Sequence, residues 1–280
     1  MCGINGIYNY SNLSRSLENV EVMNMVSVHR GPDFSGVYND DKIILGHNRL
    51  SIIDLAKEAN QPFVSSDGNV VLVFNGEIYN FKELKEELKV NYQFITNSDT
   101  EVLLAAYLKW GNTFVSKLNG MFAFAIWDKI KCQFILARDR MGIKPLYYTE
   151  HDQAVYFSSS VKGLMQNKEL SFSVDRESMV DYLKYGTVHS PETIVKSIKM
   201  LPKSSMLIVS EDEWKVDNYY NLIDEAQNRP TNFNYEEVKQ KIRKLVCSSV
   251  NKRLNSDVPF GVFLSGGIDS SILVAAAAKE

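Results

Sequence analysis

Short apolar or alternating runs, punctuated by turn residues, fill the first two hundred residues and constrain the fold more than any other feature. INGIY (4–8), KIILGHNRLSII (42–53), NVVLVFN (69–75), GMFAFAIWD (120–128), CQFILA (132–137), PLYYT (145–149) and AVYFSS (154–159) are each bounded by Gly, Asp, Asn or Pro. Runs of that length and make-up read as strands. Helical spacing falls between and after them, over Glu18 to Val28, over Phe81 to Leu88 with Phe81, Leu84 and Leu88 on one face, and over Arg176 to Tyr185. A further helix spans Thr100 to Trp110, opened by the capping-box pattern Ser98-Asp99-Thr100-Glu101. Strands outnumber helices and strict βαβ alternation is missing, so the expected class is α+β, with sheets covered by helices.

The pattern changes after residue 210. Residues 211–234 are polar, contain Asn228, Pro230, Thr231 and Asn232, and read as a linker. Next comes an amphipathic helix over Tyr235 to Leu254, with Val238, Ile242, Leu245, Val246 and Val250 sharing a face. A short apolar strand, Pro259 to Leu264, leads into Ser265-Gly266-Gly267-Ile268-Asp269-Ser270-Ser271 and a helix through Ala275 to Ala278. Helix, strand, Gly-rich turn, helix is the opening of an α/β domain. The expected division is therefore a first domain over 1–210, a linker over 211–234, and the opening fragment of a second domain over 235–280. So small a segment buries too little apolar surface to be stable alone.

Bulk numbers exclude some functions. The 31 basic and 34 acidic residues leave a net charge of -3, too small to argue for nucleic acid or an anionic membrane surface. No apolar run approaches the ~20 residues that span a bilayer, and the first ten residues lack the basic and apolar regions of a secretory signal. The cytoplasm is the default location, and a homodimer is compatible with the sequence. Three cysteines without CxxC spacing argue against a disulfide framework or a structural zinc site. Cys132 and Cys247 read as small buried hydrophobes.

Cys2 differs by its position. Removal of Met1, which a small second side chain permits, would put a thiol and a free α-amine on one residue. The amine has an ordinary pKa near ~8, so it can serve as general base without a histidine. A buried cysteine opening the first strand is an equally good reading of the position alone.

Several motifs break the tie. Met1-Cys2-Gly3-Ile4 resembles the start of class II glutamine amidotransferases, which are N-terminal nucleophile hydrolases. His29-Arg30-Gly31-Pro32-Asp33, Arg49-Leu50-Ser51-Ile52-Ile53-Asp54, Asn75-Gly76-Glu77-Ile78-Tyr79-Asn80 and Ser98-Asp99-Thr100-Glu101 look like the glutamine-hydrolysing asparagine synthetase family. So do 120–128, Ala137-Arg138-Asp139-Arg140, Gly142-Ile143-Lys144-Pro145-Leu146-Tyr147-Tyr148 and Leu264-Ser265-Gly266-Gly267-Ile268-Asp269-Ser270-Ser271. The resemblance implies a four-layer αββα sandwich over 1–210, a glutaminase domain. It also implies that 235–280 begins an ATP-pyrophosphatase domain, so that the chain is C-terminally incomplete.

It further implies roles. Cys2 would be the nucleophile, with Asn75 and Gly76 forming an oxyanion hole. Arg49 would meet the α-carboxylate of glutamine through two parallel hydrogen bonds. Glu77 and Asp99 would take its α-ammonium, and Leu50, Ser51, Ile52 and Ile53 would line the site. Leu264, Ser265, Gly266, Gly267, Asp269 and Ser270 would bind ATP, with Asp269 near its magnesium. Hydrolysis of glutamine needs no cofactor and no metal. Glutamine, aspartate and ATP are the implied small-molecule partners of the complete protein, and asparagine the product.

Plainer readings stand beside these. Asn75-Gly76 is a type I′ hairpin signal. Arg49 reads equally as an edge-strand arginine reaching solvent, and Asp99 as a favourable charge in a helix's first turn. A Gly-Ser turn with no ligand fits 265–271, which is not a Walker A loop. Arg138, Asp139 and Arg140 read as an ion-paired corner. Asn48 and Ser160 depart from the family, where arginine and glutamate are common, and Ser160 bears on contacts between the two parts. An amidotransferase serving another acceptor and a non-catalytic glutamine-binding domain remain the alternative functions.

Overall fold

Each apolar run finds a partner strand. The computed structural model describes residues 1–10, 16–211, 213–227 and 234–279. One six-stranded sheet contains β1 (Gly3–Asn9), β2 (Phe34–Asn39), β3 (Ile43–Arg49), β8 (Tyr147–His151), β9 (Ala154–Ser158) and β10 (Lys199–Met200), in the order β10-β8-β9-β1-β3-β2. The other contains β4 (Phe63–Val64), β5 (Val70–Ile78), β6 (Gly120–Asp128), β7 (Gln133–Arg138), β11 (Ser205–Val209) and β12 (Trp214–Asn218), in the order β12-β11-β7-β6-β5-β4. Neighbours in both are antiparallel.

Alternating side chains build three apolar layers. Ile4, Tyr8, Leu45, Val71, Val73, Phe134, Leu136 and Phe157 meet between the sheets. Ile7, Ile44 and Tyr156 turn outward onto α1 (Leu17–Ser27) and α4 (Val161–Leu164), through Val20, Met23 and Leu164. Leu72, Phe74, Phe124 and Ile135 turn outward onto α2 (Phe81–Leu88) and α3 (Asp99–Trp110). The architecture is the four-layer αββα sandwich. Close approach makes some positions small: a Cβ on Gly46 would lie 2.5 Å from Asn24 Oδ1 on α1.

Helix starts follow the sequence signals. Ser98 Oγ accepts from Glu101 N at 3.2 Å, and the Glu101 carboxylate accepts from Thr96 N at 2.7 Å, tying the start of α3 to the chain before it. Asp175 caps α5 (Arg176–Tyr185) by accepting from Ser178 N at 3.2 Å. Ser160 caps α4, accepting from Gly163 N at 3.0 Å.

Four expectations need correction. The stretch 211–234 is not a bare linker, since β12 extends the second sheet and α6 (Leu222–Gln227) follows; residues 212 and 228–233, with Asn228, Pro230, Thr231 and Asn232, lie outside the described residues. Pro259 to Leu264 forms no strand: α7 (Tyr235–Arg253) and α8 (Ile268–Ala277) satisfy their own backbone groups, whereas a strand needs a neighbour to pair with. Cys132 is exposed, in the turn before β7 with φ +47°, and Cys247 is half-buried on α7. The 138–140 corner spends its charges on backbone groups: Arg138 donates to the carbonyls of Lys144, Leu201 and Gly142, Asp139 accepts from Phe122 N and Lys144 N, and Arg140 donates to Leu118 O and Ser116 O.

Candidate active site

The inner rows of three strands change from apolar to polar at the same end of the sandwich. Ile4 on β1 faces the other sheet, and Cys2 keeps its parity; Ile43 and Leu45 on β3 give way to His47 and Arg49; Val71 and Val73 on β5 give way to Asn75 and Glu77. Gly3 lies opposite Asn48, so the register carries Cys2 to Arg49, and Leu50 N reaches its sulfur. A cavity of about 350 Å³ opens there. Its lining includes Cys2, Arg49, Leu50, Ile52, Ile53, Asn75, Gly76, Glu77 and Asp99, together with Met1, Gln61, Thr100, Met121 and Lys144. Ser51 is not on that lining, and its N–H is held by Asp33 Oδ2 at 2.8 Å.

The Cys2 sulfur accepts from Leu50 N at 3.4 Å, and Arg30 Nε donates to Cys2 O at 3.1 Å. Burial raises the thiol pKa, so the sulfur carries its proton near neutrality and needs a base to become a nucleophile. Burial also lowers the pKa of the Met1 amine at the cavity wall. His47 is buried and held to about 3 by burial, with Nε2 against Phe74 O at 3.1 Å. An imidazole that stays neutral and bonded to the neighbouring sheet is poorly placed to serve as that base.

Asn75 is buried, and its Nδ2 has no hydrogen-bond partner. The hairpin reading of Asn75-Gly76 fails, because β5 runs straight through both residues, paired with Ala123 and Phe122 of β6. A Cβ on Gly76 would lie 2.4 Å from Met121 O, so only glycine fits that approach.

Arg49 is buried on β3, which lies between β1 and β2, so the edge-strand reading fails as well. Its Nη1 donates to Ala56 O at 2.9 Å and to Asn60 Oδ1 at 2.7 Å, and its Nη2 donates to Asp54 O. The 53–60 loop thus wraps the guanidinium. Arg49 offers the cavity its charge, but not two free parallel N–H groups.

Asp99 Oδ2 accepts from Ile78 N at 3.0 Å. Burial pushes its carboxyl up to about 7 despite that bond and despite its place in the first turn of α3. Glu77 is raised too, chiefly by burial, and Lys144 is lowered for the same reason.

The predicted ATP residues lie apart from this cavity. Leu264, Ser265, Gly266 and Gly267 are exposed on the turn before α8, and in the first turn of α8 Asp269 is exposed and Ser270 partly covered. Ser265 Oγ and Ser270 Oγ are 3.0 Å apart, Ser270 Oγ donates to Gly267 O at 3.0 Å, and Gly266 has φ +80°. Among the described residues, no three His, Cys, Asp or Glu side chains cluster as metal ligands.

Residues 1–220 match the glutamine amidotransferase domain family, more than half of the chain. The chain belongs to that family. Residues 241–280 match the asparagine synthase family. Over 99% of the chain, 40% of residues are identical to asparagine synthetase [glutamine-hydrolyzing] 1 of Bacillus subtilis (strain 168), covering 44% of that protein. Identity is 36% over 100% of the chain to asparagine synthetase B [glutamine-hydrolyzing] of Escherichia coli (strain K12), covering 45% of it. The chain therefore spans less than half the length of these relatives. The glutamine phosphoribosylpyrophosphate amidotransferase of B. subtilis has the same fold, at 20% identity and a TM-score of 0.58, over 99% of this chain and 64% of that one.

Some lining residues of this amidotransferase domain had no assigned role in the sequence. Lys144 sits inside a recognised motif, which was the available signal, as do Arg30 and Asp33, which lie off the lining and hold Cys2 O and Ser51 N. Gln61 joins the wall by accepting from Phe74 N at 2.6 Å and donating to Thr100 Oγ1 at 3.2 Å, and nothing in its local sequence marks it.

Proposed function

We propose that this chain hydrolyses glutamine to glutamate and ammonia, with Cys2 as nucleophile once Met1 is removed. The observation that carries this reading is one cavity holding the sulfur of residue 2 and an unpartnered buried amide on Asn75. The freed amine of Cys2 takes the thiol proton, directly or through a water. The sulfur then bonds to the side-chain amide carbon of glutamine. The Asn75 amide and the Gly76 N–H meet the oxygen that gains charge; one such donor typically contributes ~2.7–4 kcal/mol. The C–N bond breaks, ammonia leaves with the proton held by the amine, and water cleaves the γ-glutamyl thioester. Arg49 attracts the α-carboxylate by its charge, while Asp99 and Glu77 face the α-ammonium.

In the complete protein we propose that the ammonia serves ATP-dependent amidation of aspartate to asparagine, in the cytoplasm. The match over 241–280 and the names of the relatives support this. ATP, with magnesium, would activate the aspartate carboxylate. The turn at 265–270 fits a phosphate, since a helix N-terminus and a glycine at positive φ present backbone N–H groups there. No helix among the described residues is long and apolar enough to cross a membrane.

The test is glutamate release by the chain with Met1 removed. A Cys2→Ala variant should fall by about 10⁴-fold or more, the scale of losing a nucleophile. Equal rates in the two forms would end the thiol mechanism. Glutamine binding without turnover in the parent would favour a sensing domain.

A further inference from the structure

The segment after α7 is bonded to the wall of the cavity. Asp257 N donates to Ile52 O at 2.9 Å, and Asp54 N donates back to Asp257 Oδ2 at 2.7 Å. Two flanking contacts fix the same segment: Lys82 Nζ donates to Asn255 Oδ1 at 2.7 Å, and the Arg253 guanidinium lies 4.5 Å from the Tyr79 ring centre. Asp54 has φ +53°, a left-handed conformation that needs support from its surroundings. That conformation sends its N–H outward to Asp257, while its carbonyl accepts from Arg49. Its carboxylate accepts from Asn97 N at 2.7 Å, just ahead of the helix that carries Asp99. A cavity of about 510 Å³ between Ile53, Lys82 and Asn255 leaves this junction room to shift.

We propose that Asp257 is a positioning residue for glutamine, acting through Asp54 on Arg49. The segment that continues to the 265–271 turn thereby sets the affinity of a cavity it does not enter. The coupling runs both ways: glutamine that fixes the 52–54 loop also fixes the segment leading to the turn. The proposal rests on the glutamine reading above and specifies which residue outside the sandwich tunes that site.

The experiment compares Asp257→Ala with Asp257→Asn in the 280-residue chain lacking Met1. Asparagine keeps an oxygen that accepts from Asp54 N; alanine does not. Asp257→Ala should raise the KM for glutamine about five- to tenfold with kcat within about twofold, the lower range of couplings between sites. Asp257→Asn should restore KM. Without any ligand, amide exchange across 52–56 should be faster in the alanine form and unchanged in the asparagine form. Unchanged exchange in the alanine form overturns the proposal whether or not the chain is active, and so does faster exchange with an unchanged KM. An inactive parent defeats the glutaminase reading instead, and exchange then judges the loop contact by itself.

Discussion

The sandwich and the segment beyond it carry equally clear sequence patterns, yet only the sandwich encloses its apolar residues on both faces. In the sandwich, Val71, Val73, Phe124 and Leu136 are fully enclosed, because each sheet has a layer on either face. In α7, α8 and the turn between them, the two helices bury only Val250 and Ala276 among the described residues, while Ile242 is 56% exposed, Ile268 80% and Phe263 98%. The two helices form regardless, since their hydrogen bonds are internal, and Asn234 caps the first by accepting from Glu236 N at 3.0 Å. The apolar run 259–264 pairs with nothing. Periodicity thus sets local conformation in both regions, whereas full burial requires layers on both faces, which the sandwich has and the two-helix segment lacks.

A core substitution tests that contrast most severely. Phe124 is fully buried on β6, with its ring centre 5.6 Å from Phe114 and 5.5 Å from Phe122. Phe124→Ala should cost ~3–5 kcal/mol, read from urea unfolding of the whole chain. A loss under about 1 kcal/mol would mean that the sandwich is packed no better than the segment after it.

Much of the sandwich was legible because enclosed strands are continuous apolar runs. The seven runs named from the sequence became β1, β3, β5, β6, β7, β8 and β9. The strands not anticipated fail that criterion. β2 (FSGVYN) and β12 (WKVDN) lie at sheet edges and mix polar with apolar residues, and β4 and β10 are two residues each. β11 (SMLIV) is a true apolar run that was passed over. Asn75 and Arg49 were ambiguous because local sequence does not say which sheet a residue faces. Only the register, with Ile4 opposite His47 and Asn75 opposite Ala123, brings the polar ends of three strands together. The wrapping of Arg49 by the 53–60 loop had no sequence signal, since its partners are mainly backbone carbonyls.

Burial also changes chemistry in the sandwich. Asp99 is held up to about 7, above the ~4 of a free aspartate. The folded chain therefore keeps a proton there that the unfolded chain releases. Stability falls as pH rises from about 4 to 7, and the whole cost is present above 7. A ligand ammonium favours the charged carboxylate, so glutamine binding should tighten with rising pH. In the Cys2→Ala form, which binds without turnover, affinity should increase about tenfold between pH 6 and 8, following the ionised fraction of a group at about 7. Calorimetry at several pH values reads this directly. A flat profile, or an equal slope in Asp99→Asn, would show that this carboxyl does not meet the ammonium.

The smallest expected effect tests the other side of the contrast. Phe263 lies in the unpaired run ahead of the 265–271 turn and is almost wholly exposed. Phe263→Ala in this chain should change stability by no more than about 0.5 kcal/mol, as for surface positions generally. The same urea experiment as for Phe124→Ala measures it. A loss of about 2 kcal/mol would mean that Phe263 packs against the sandwich in solution. The segment would then have a facing layer of its own, and the contrast between the two regions would collapse.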